Sequence, residues 1–188
     1  MGQNAQQDDR IYTIEEYERL PDDDRFRTEL VRGRLVREPP PGEEHGWLQV
    51  RLGRYLDEFV EQHGLGIVVA ETGYRLVEHP GTVRGPDLSF VSRARLAGGY
   101  PVRRFRSGAP DLAVEIVSPA NRSRDVVEKV HEYLDAGSRL VWVVNPLRRT
   151  ITVYRSRTQI HVLRAGDVLD GEDVLPGFRL EVDRLFAV

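Results

Sequence analysis

Two acidic residues on neighbouring predicted strands are the best candidates for chemistry in this sequence. Glu115 lies in the apolar run 112–117, and alternation along a strand turns it away from the face that carries the larger apolar side chains. Asp87 belongs to a second alternating run, 86–91. If the apolar faces of both runs pack in one core layer, Asp87 and Glu115 lie together on the opposite face. Adjacent ionised carboxylates repel, and a divalent cation commonly keeps both ionised, so the pair predicts a metal site.

Basic residues near this acid pair in the sequence could complete a site. Lys129 lies on the helix predicted after the Glu115 strand. It could form a surface ion pair with Asp125, or its long stem could run along packed surface toward the sheet. The connection 93–108 contains five arginines without an acidic residue between them, namely Arg93, Arg95, Arg103, Arg104 and Arg106. This segment is either a solvated loop or a loop that contacts phosphates, and the sequence leaves both open.

Glu29 and His45 are weaker candidates. Glu29 lies on a predicted hairpin, where an acid can simply face solvent. His45 lies near the start of the longest predicted helix, where a surface or half-buried histidine is common. Asp87 alone could be a turn residue after Pro86. The sequence contains no other clear catalytic motif. Its candidate groups are an acid pair, a lysine and several arginines, and this set suits metal-assisted hydrolysis of a phosphodiester.

Composition limits the classes of protein that are possible. The chain has 188 residues with 40% hydrophobic content, which predicts one globular domain over 11–188 after a polar, disordered tail at 1–10. The absence of cysteine excludes disulfides, thiolate zinc sites and thiol nucleophiles. A net charge of -3 gives no overall attraction to nucleic acid, so a polyanion site would be a local patch. No membrane span or signal pattern is visible, and we expect a cytoplasmic protein.

The pattern of elements predicts an α/β fold. Thr13 and Glu16 form a capping box that opens a short helix ending at Leu20. The other predicted elements are a hairpin over 26–37 turning near Gly33, a helix over 43–63 and a strand over 66–77 that is straight or bent at 72–73; these are followed by the strand around Glu115, a helix capped by Asn121 or Ser123, a strand over 140–145 and a hairpin over 149–164. The strand–helix–strand succession after residue 110 predicts a crossover between parallel strands.

These residues together resemble the signature of the Uma-two family, bacterial proteins described as restriction-endonuclease-like within the PD-(D/E)XK nuclease superfamily. The resemblance covers about Tyr12 to Phe186. It rests on Pro86-Asp87, the stretch Glu115-Ile116-Val117-Ser118-Pro119, the spacing of Asp125, Lys129 and Tyr133, and the stretches 136–137 and 141–146. It implies a restriction-endonuclease-like core, with a central mixed β-sheet flanked by helices and an added N-terminal helix and β-hairpin at one edge.

The resemblance also implies roles for individual residues. Asp87 and Glu115 would bind Mg²⁺ or Mn²⁺, with the Ile116 backbone carbonyl as a further ligand. The superfamily lysine falls two residues after Glu115, where this chain has Val117, and the resemblance implies that its role has moved to Lys129. Two further residues match family positions near the cleft and could take part in catalysis, Glu29 and His45.

We therefore expect a Mg²⁺-dependent endonuclease that cuts DNA, with Arg103, Arg104 and Arg106 as nucleic-acid-binding residues. Such nucleases are commonly homodimers, because a duplex offers two strands to cut. The alternative is a non-catalytic module that binds nucleic acid or protein and keeps the nuclease fold, which Val117 in the lysine position favours. A third reading is a structural α/β protein whose acids are paired with neighbouring arginines.

Overall fold

The fold consists of two main sheets, a small ribbon and four α-helices in a computed structural model that describes residues 10–21, 23, 25–98, 101–119 and 121–187. The strands are β1 Arg27–Val31, β2 Arg34–Glu38, β3 Gly66–Ala70, β4 Tyr74–Val77, β5 Thr82–Arg84, β6 Leu88–Ser92, β7 Arg106–Ser107, β8 Leu112–Ile116, β9 Leu140–Asn145, β10 Thr150–Tyr154, β11 Ile160–Leu163, β12 Val168–Asp170 and β13 Arg179–Glu181. The helices are α1 Ile14–Glu18, α2 Glu43–His63, α3 Ser123–Asp135 and α4 Val182–Phe186, with a 3₁₀ helix at Arg93–Gly98. The predicted disordered tail lies outside the described residues except for Arg10.

A six-stranded mixed sheet forms the centre of the fold. Its strand order is β11-β10-β9-β8-β6-β3. The α3 helix connects β8 to the parallel strand β9, and the other neighbours in this sheet are antiparallel. The mixed central sheet and the parallel crossover that the sequence predicts are thus confirmed.

The two faces of this sheet are covered differently, and this fixes where the site can form. On one face, alternate side chains of β6, β8 and β9 pack with the buried stripe of α2 to form the main core. On the other face, a smaller cluster contains Ala113 and Val143 from the sheet together with Val130 and Tyr133 from α3. Glu115 alternates with the main-core residues and therefore lies on the α3 side.

A second sheet, with strand order β2-β1-β5-β4-β7, includes the N-terminal hairpin. The hairpin was expected at one edge of the central sheet, but it belongs to this separate five-stranded sheet. The strand predicted over 66–77 is two strands in different sheets, because the chain turns after β3 at Glu71, which has a φ of +53°. A Cβ at Gly73 would lie 2.3 Å from the ring of Phe105, so only glycine fits in this turn.

The bounds of α2 were predicted correctly, but the identity of its buried side chains was not. The α2 helix covers the predicted range and ends at Gly64 in the left-handed conformation. The apolar spacing in the sequence predicts a buried stripe on this helix that includes Val50, but Val50 is 74% exposed and Leu48 is buried instead. The α1 helix has the predicted capping box, although it ends at Glu18.

The predicted side-chain cap of α3 is wrong. Arg122 occupies the cap position without a side-chain hydrogen bond. Asn121 Oδ1 instead accepts a hydrogen bond from the backbone N–H of Ser118. The Asn121 side chain therefore closes the turn that precedes the helix and does not cap the helix. Within the described ranges, no helix is both long and apolar enough to cross a membrane.

Candidate active site

The antiparallel register of β6 and β8 brings the two acids together. Leu88 pairs with Val114, so Asp87, the residue immediately before β6, lies opposite Glu115. Both side chains are buried, with 2% and 8% of each residue exposed. The alternation of the two runs predicts this arrangement. Whether the two carboxylates bind metal stays a prediction.

Asp87 is surrounded by hydrogen-bond donors. Arg27 from β1 lies 2.7 Å from Oδ1, while the Ile116 backbone N–H donates to Oδ2 at 2.6 Å. His45 Nε2 lies 3.2 Å from Oδ2. Burial raises the pKa of Asp87, but His45, Arg27 and the Ile116 amide outweigh it, and the pKa is lowered. Asp87 is therefore ionised at neutral pH.

His45 and Gln49 extend from the first two turns of α2 toward this acid. The two residues are separated by four positions and so lie on one face of the helix. Gln49 Nε2 donates to the Asp87 carbonyl at 2.9 Å and also lies 3.3 Å from Glu71 Oε1. His45 is 5% exposed, which shows that it is not a surface histidine.

Glu115 has a different electrostatic environment. Tyr133 from α3 donates its hydroxyl to Oε1 at 2.8 Å, and Lys129 Nζ lies 3.7 Å from Oε2. Burial raises the pKa of Glu115 to about 7, because the charges of Asp87 and Glu29 reinforce the effect and outweigh Lys129 and Tyr133. The ionised form of Glu115 is thus poorly compensated in this cluster.

Lys129 lies among three carboxylates. Its Nζ is 3.2 Å from Glu29 Oε2, 3.6 Å from Glu38 Oε1 and 3.7 Å from Glu115 Oε2. Burial opposes the charged ammonium, yet these carboxylates raise the pKa of Lys129. The side chain thus runs toward the sheet, which was one of the two alternatives for it, instead of lying on the surface beside Asp125.

Glu29 is held from the other side. Arg84 Nη1 donates to Glu29 Oε2 at 2.8 Å, and the Gly85 N–H donates to Oε1 at 3.0 Å. Arg84 Nε in turn donates to Glu132 Oε2 at 2.6 Å. Burial raises the pKa of Glu29, but Lys129, Arg84 and the Gly85 amide outweigh it and lower the pKa. Glu29 is therefore a buried, ionised acid and does not face solvent.

A pocket of about 210 Å³ opens onto the acid pair. Its lining includes Asp87, Glu115, Lys129, His45 and Arg27. The structure thus brings four of the sequence candidates to one opening, with Arg27 as an addition that sequence reasoning missed. Glu29 lines an adjacent pocket of about 170 Å³ on the far side of the lysine.

The arginine-rich connection is placed elsewhere. Arg103 and Arg104 line a separate pocket of about 920 Å³ between α1 and the β1–β2 hairpin. Although no acid lies between these arginines in the sequence, two of them lie near acids in the fold: Arg104 is 3.7 Å from Glu18, and Arg95 is 3.5 Å from Asp111. Arg106 donates to the Arg95 carbonyl at 3.3 Å. Tertiary contacts supply acids that the local sequence does not show.

The oxygen donors of the pocket meet the needs of a divalent cation only if water or substrate completes its shell. Within the described ranges, no three His, Asp or Glu side chains are grouped closely enough to hold a metal ion by themselves. However, ion pairs in and behind the pocket join five carboxylates to three permanently basic side chains; the acids are Glu29, Glu38, Asp87, Glu115 and Glu132, and the bases are Arg27, Arg84 and Lys129. Arg37 and Asp125, which also line the pocket, add one charge of each sign. Oxygen donors with excess negative charge suit Mg²⁺, which takes one or two carboxylates and completes its shell with water and substrate phosphate.

The composition of the chain gives Lys129 a further distinction. The chain has 27 basic residues other than histidine, and 26 of them are arginine, so Lys129 is its only lysine. Arginine retains its proton in proteins, whereas lysine is a compact point charge whose pKa responds to burial. The presence of a single lysine in an arginine-rich chain is therefore a second reason, visible in the sequence itself, to consider Lys129 as a functional residue.

A mixed sheet that holds two acids at the end of neighbouring strands, beside a lysine, defines a restriction-endonuclease-like α/β protein. The chain belongs to the Uma2 family, whose description is "Putative restriction endonuclease" and whose family model matches residues 14–183. This confirms the family resemblance that the sequence showed.

The fold is also found in a solved structure. The chain is similar to a crystal structure described as "a putative nuclease" from Anabaena variabilis ATCC 29413, with a TM-score of 0.82 and 22% sequence identity over 93% of this chain and 97% of that chain. At this identity the similarity shows the shared fold. No curated protein matches the chain.

Proposed function

We propose that this protein is a cytoplasmic endonuclease that hydrolyses DNA phosphodiester bonds with the aid of Mg²⁺ or Mn²⁺. The observation that carries the proposal is the convergence of Asp87, Glu115 and Lys129 at one pocket. Family membership supports nuclease activity at the coarser level. A buried acid pair beside a fixed ammonium is also a costly arrangement for a merely structural protein, because each buried charge loses its hydration.

Asp87 and Glu115 would hold the cation, together with the backbone carbonyl of Ile116. The Ile116 N–H already donates to Asp87, which keeps the backbone of Ile116 beside the acid pair. When bound, the metal would supply Lewis-acid stabilisation of the phosphate and a more acidic water.

Lys129 would act on the substrate as a positive charge at a fixed place. Its ammonium is held within 3.7 Å of Glu115 and opens onto the same pocket. There it can hydrogen-bond the attacking water or an oxygen of the scissile phosphate, and it stabilises the negative charge that develops in the transition state. Because its pKa is raised, it acts as a hydrogen-bond donor and not as a base.

His45 and Glu29 would support this chemistry in different ways. His45 contacts Asp87, so it orients that carboxylate and can add positive charge beside it. Glu29 contacts Lys129 and not the acid pair directly. Arg103, Arg104 and Arg106 would bind nucleic-acid backbone outside the pocket. A homodimer would allow both strands of a duplex to be cut, and light scattering after size-exclusion chromatography measures the subunit number.

One observation favours the second candidate function, a non-catalytic module that binds nucleic acid or protein. Both oxygens of Asp87 already accept hydrogen bonds or ion pairs from Arg27, His45 and Ile116. A site whose acid is satisfied by protein cations could keep its shape without metal. In that case, cleavage would be absent and charge reversal at Arg103 and Arg104 would weaken binding.

Cleavage of supercoiled plasmid in Mg²⁺ or Mn²⁺ tests the proposal. We expect Asp87→Asn and Glu115→Gln each to lower the rate at least a hundredfold and Lys129→Ala at least tenfold. Asp111→Asn is the matched control, since Asp111 is also a buried acid, 3% exposed, that accepts a hydrogen bond from the Ser92 amide near the other end of β8.

Melting temperature with and without Mn²⁺ gives a second readout that needs no substrate. A rise in wild type and in Asp111→Asn, but not in Asp87→Asn, would locate the cation at the acid pair. Absence of metal-dependent cleavage in the wild type, or equal activity in Glu115→Gln and wild type, would refute the nuclease proposal at this site.

A further inference from the structure

Four side chains near the acid pair are linked by three ion pairs, and the backbone of α3 closes them into a ring. Lys129 contacts Glu29, Glu29 contacts Arg84, and Arg84 contacts Glu132. Glu132 is three residues after Lys129 on α3, which places both on the same face of the helix and closes the ring through one turn of backbone. The ring therefore ties α3 to β1 and to the end of β5.

Only one member of this ring reaches the pocket. Lys129 lines the pocket with Asp87 and Glu115, while the residues that line it do not include Glu29, Arg84 or Glu132 within the described chain. These three side chains are nevertheless well buried, with 11%, 6% and 14% of each side chain exposed. They are arranged behind the lysine.

The ring restricts where the Lys129 ammonium can lie, because the carboxylate that it contacts is itself held by other groups. A single ion pair would leave that carboxylate free to move. The Glu29 carboxylate is fixed at both oxygens, by Arg84 on Oε2 and by the Gly85 amide on Oε1. Arg84 uses Nη1 toward Glu29 and Nε toward Glu132, so its planar guanidinium is oriented by two carboxylates. Lys129 Nζ contacts Glu29 at the same Oε2, 3.2 Å away, and in this position it lies 3.7 Å from Glu115 Oε2.

The geometry points to a positioning role: Glu29, Arg84 and Glu132 hold the ammonium of Lys129 against Glu115, and Glu29 acts through the lysine and not on metal or substrate. This inference rests on the proposed function, in which Lys129 serves the reaction. A lysine on the strand itself would be held by the strand and would not need these positioning residues. Arg84 and Glu132 become positioning residues for catalysis.

The single lysine makes a direct experiment possible. Protein labelled with ¹⁵N-lysine gives one ammonium signal, that of Lys129, and its exchange rate with water reports how firmly the ammonium is held. The decisive variant is Glu132→Gln, because it touches Arg84 and makes no contact with Lys129 in the described structure. We expect the exchange rate of the Lys129 ammonium to rise at least fivefold in this variant, and in Glu29→Gln at least tenfold.

A matched control separates positioning from general stability. Glu172→Gln removes a carboxylate paired with Arg155 outside the site. This variant should leave the Lys129 signal at its wild-type rate even if its melting temperature falls as far as that of Glu132→Gln. If Glu132→Gln does not fold, Glu132→Asp takes its place, since it keeps the charge but shortens the reach to Arg84.

Kinetics supplies the functional readout. In Glu132→Gln we expect kcat for DNA cleavage to fall about tenfold with KM unchanged, and the Mn²⁺-induced rise in melting temperature to be retained, because the acid pair is intact. An unchanged Lys129 exchange rate in Glu132→Gln would overturn the positioning role. If the wild type cuts no DNA, the proposed function fails, and the exchange rates alone then decide whether the ring holds the lysine.

Discussion

Replacing Glu115 by glutamine should make the metal-free protein more stable at neutral and alkaline pH, although it should abolish activity. Glutamine keeps the size of the side chain and a carbonyl oxygen that can accept the Tyr133 hydroxyl. It removes a carboxylate that is buried and faces the charges of Asp87 and Glu29. The variant therefore relieves an electrostatic cost that the wild type bears whenever Glu115 is ionised.

The size and sign of the effect follow from proton linkage. The folded state raises the pKa of Glu115 from 4.5 to about 7, so between these values the folded protein binds a proton that the unfolded chain has lost. The unfolding free energy of the wild type falls with rising pH across this window, by about 3 kcal/mol, since each tenfold change in proton affinity is worth about 1.4 kcal/mol. The glutamine variant lacks this loss.

Urea denaturation at several pH values between 4 and 8 would measure the difference. Trp142 is fully buried, so its fluorescence follows unfolding. The unfolding free energy of Glu115→Gln minus that of wild type should increase by about 3 kcal/mol from pH 4 to pH 8. Glu58→Gln, at an exposed position of α2, should show no such trend. A difference that stays flat with pH would refute the assignment of Glu115 as a poorly compensated buried acid.

Three further substitutions test two contacts in the site and one close approach between β3 and β6. Tyr133→Phe removes the hydroxyl that donates to Glu115 and should lower the unfolding free energy at pH 8 by about 1 to 2 kcal/mol in urea titrations, whereas an unchanged midpoint would show that this hydrogen bond is not formed. Lys129→Arg keeps the charge but introduces a planar fork between three carboxylates, so the cleavage rate should fall at least tenfold while the Mn²⁺-induced rise in melting temperature remains; wild-type rates would contradict a specific need for an ammonium. Gly66→Ala would place a Cβ 2.1 Å from the Val91 carbonyl oxygen and should destabilise the fold by about 1 to 3 kcal/mol, which thermal melting would detect and an unshifted melting temperature would disprove.

The parts of the fold that local patterns determine were predictable from the sequence. The apolar spacing of α2 and the glycine that follows it specify the bounds of this helix, and the alternation of β6 and β8 specifies which side chains face the main core. The error at Val50 has a physical reason: the pattern shows that a stripe exists, but the partner surface decides its centre. That surface is the central sheet together with the C-terminal elements, whose packing no local pattern reveals.

The separation of the hairpin from the central sheet could not be predicted in the same way. Leu30 in β1 pairs with Val83 in β5, a contact between residues 53 positions apart. Such pairing depends on how the chain turns after β3. Glu71 adopts a positive φ there, which is uncommon for a residue other than glycine and leaves no clear mark in the sequence.

In the candidate site, too, local patterns predict some residues, and long-range contacts place the others. Asp87 and Glu115 were predictable as neighbours because both lie on strands with clear alternation. Arg27, Arg84 and Glu132 were not, since each joins the cluster through a contact between distant segments, such as the 60 positions between Arg27 and Asp87. A charged residue on a strand or helix looks like a solvated one until the tertiary partner is known.

The position of the lysine links these observations into one argument. A lysine two residues after Glu115 would be fixed by the strand itself, whereas Val117 lies there and packs with the smaller apolar cluster. A lysine on α3 must cross the gap between helix and sheet, and its flexible four-carbon stem would lose several rotatable degrees of freedom on being held there. The ion pairs between Lys129 and three surrounding acids offset that loss of entropy. Glu29 and Glu38 come from the hairpin, and Glu115 comes from the central sheet. The second sheet is therefore part of the proposed catalytic apparatus, since it supplies the carboxylates that allow a helix to provide what the strand does not.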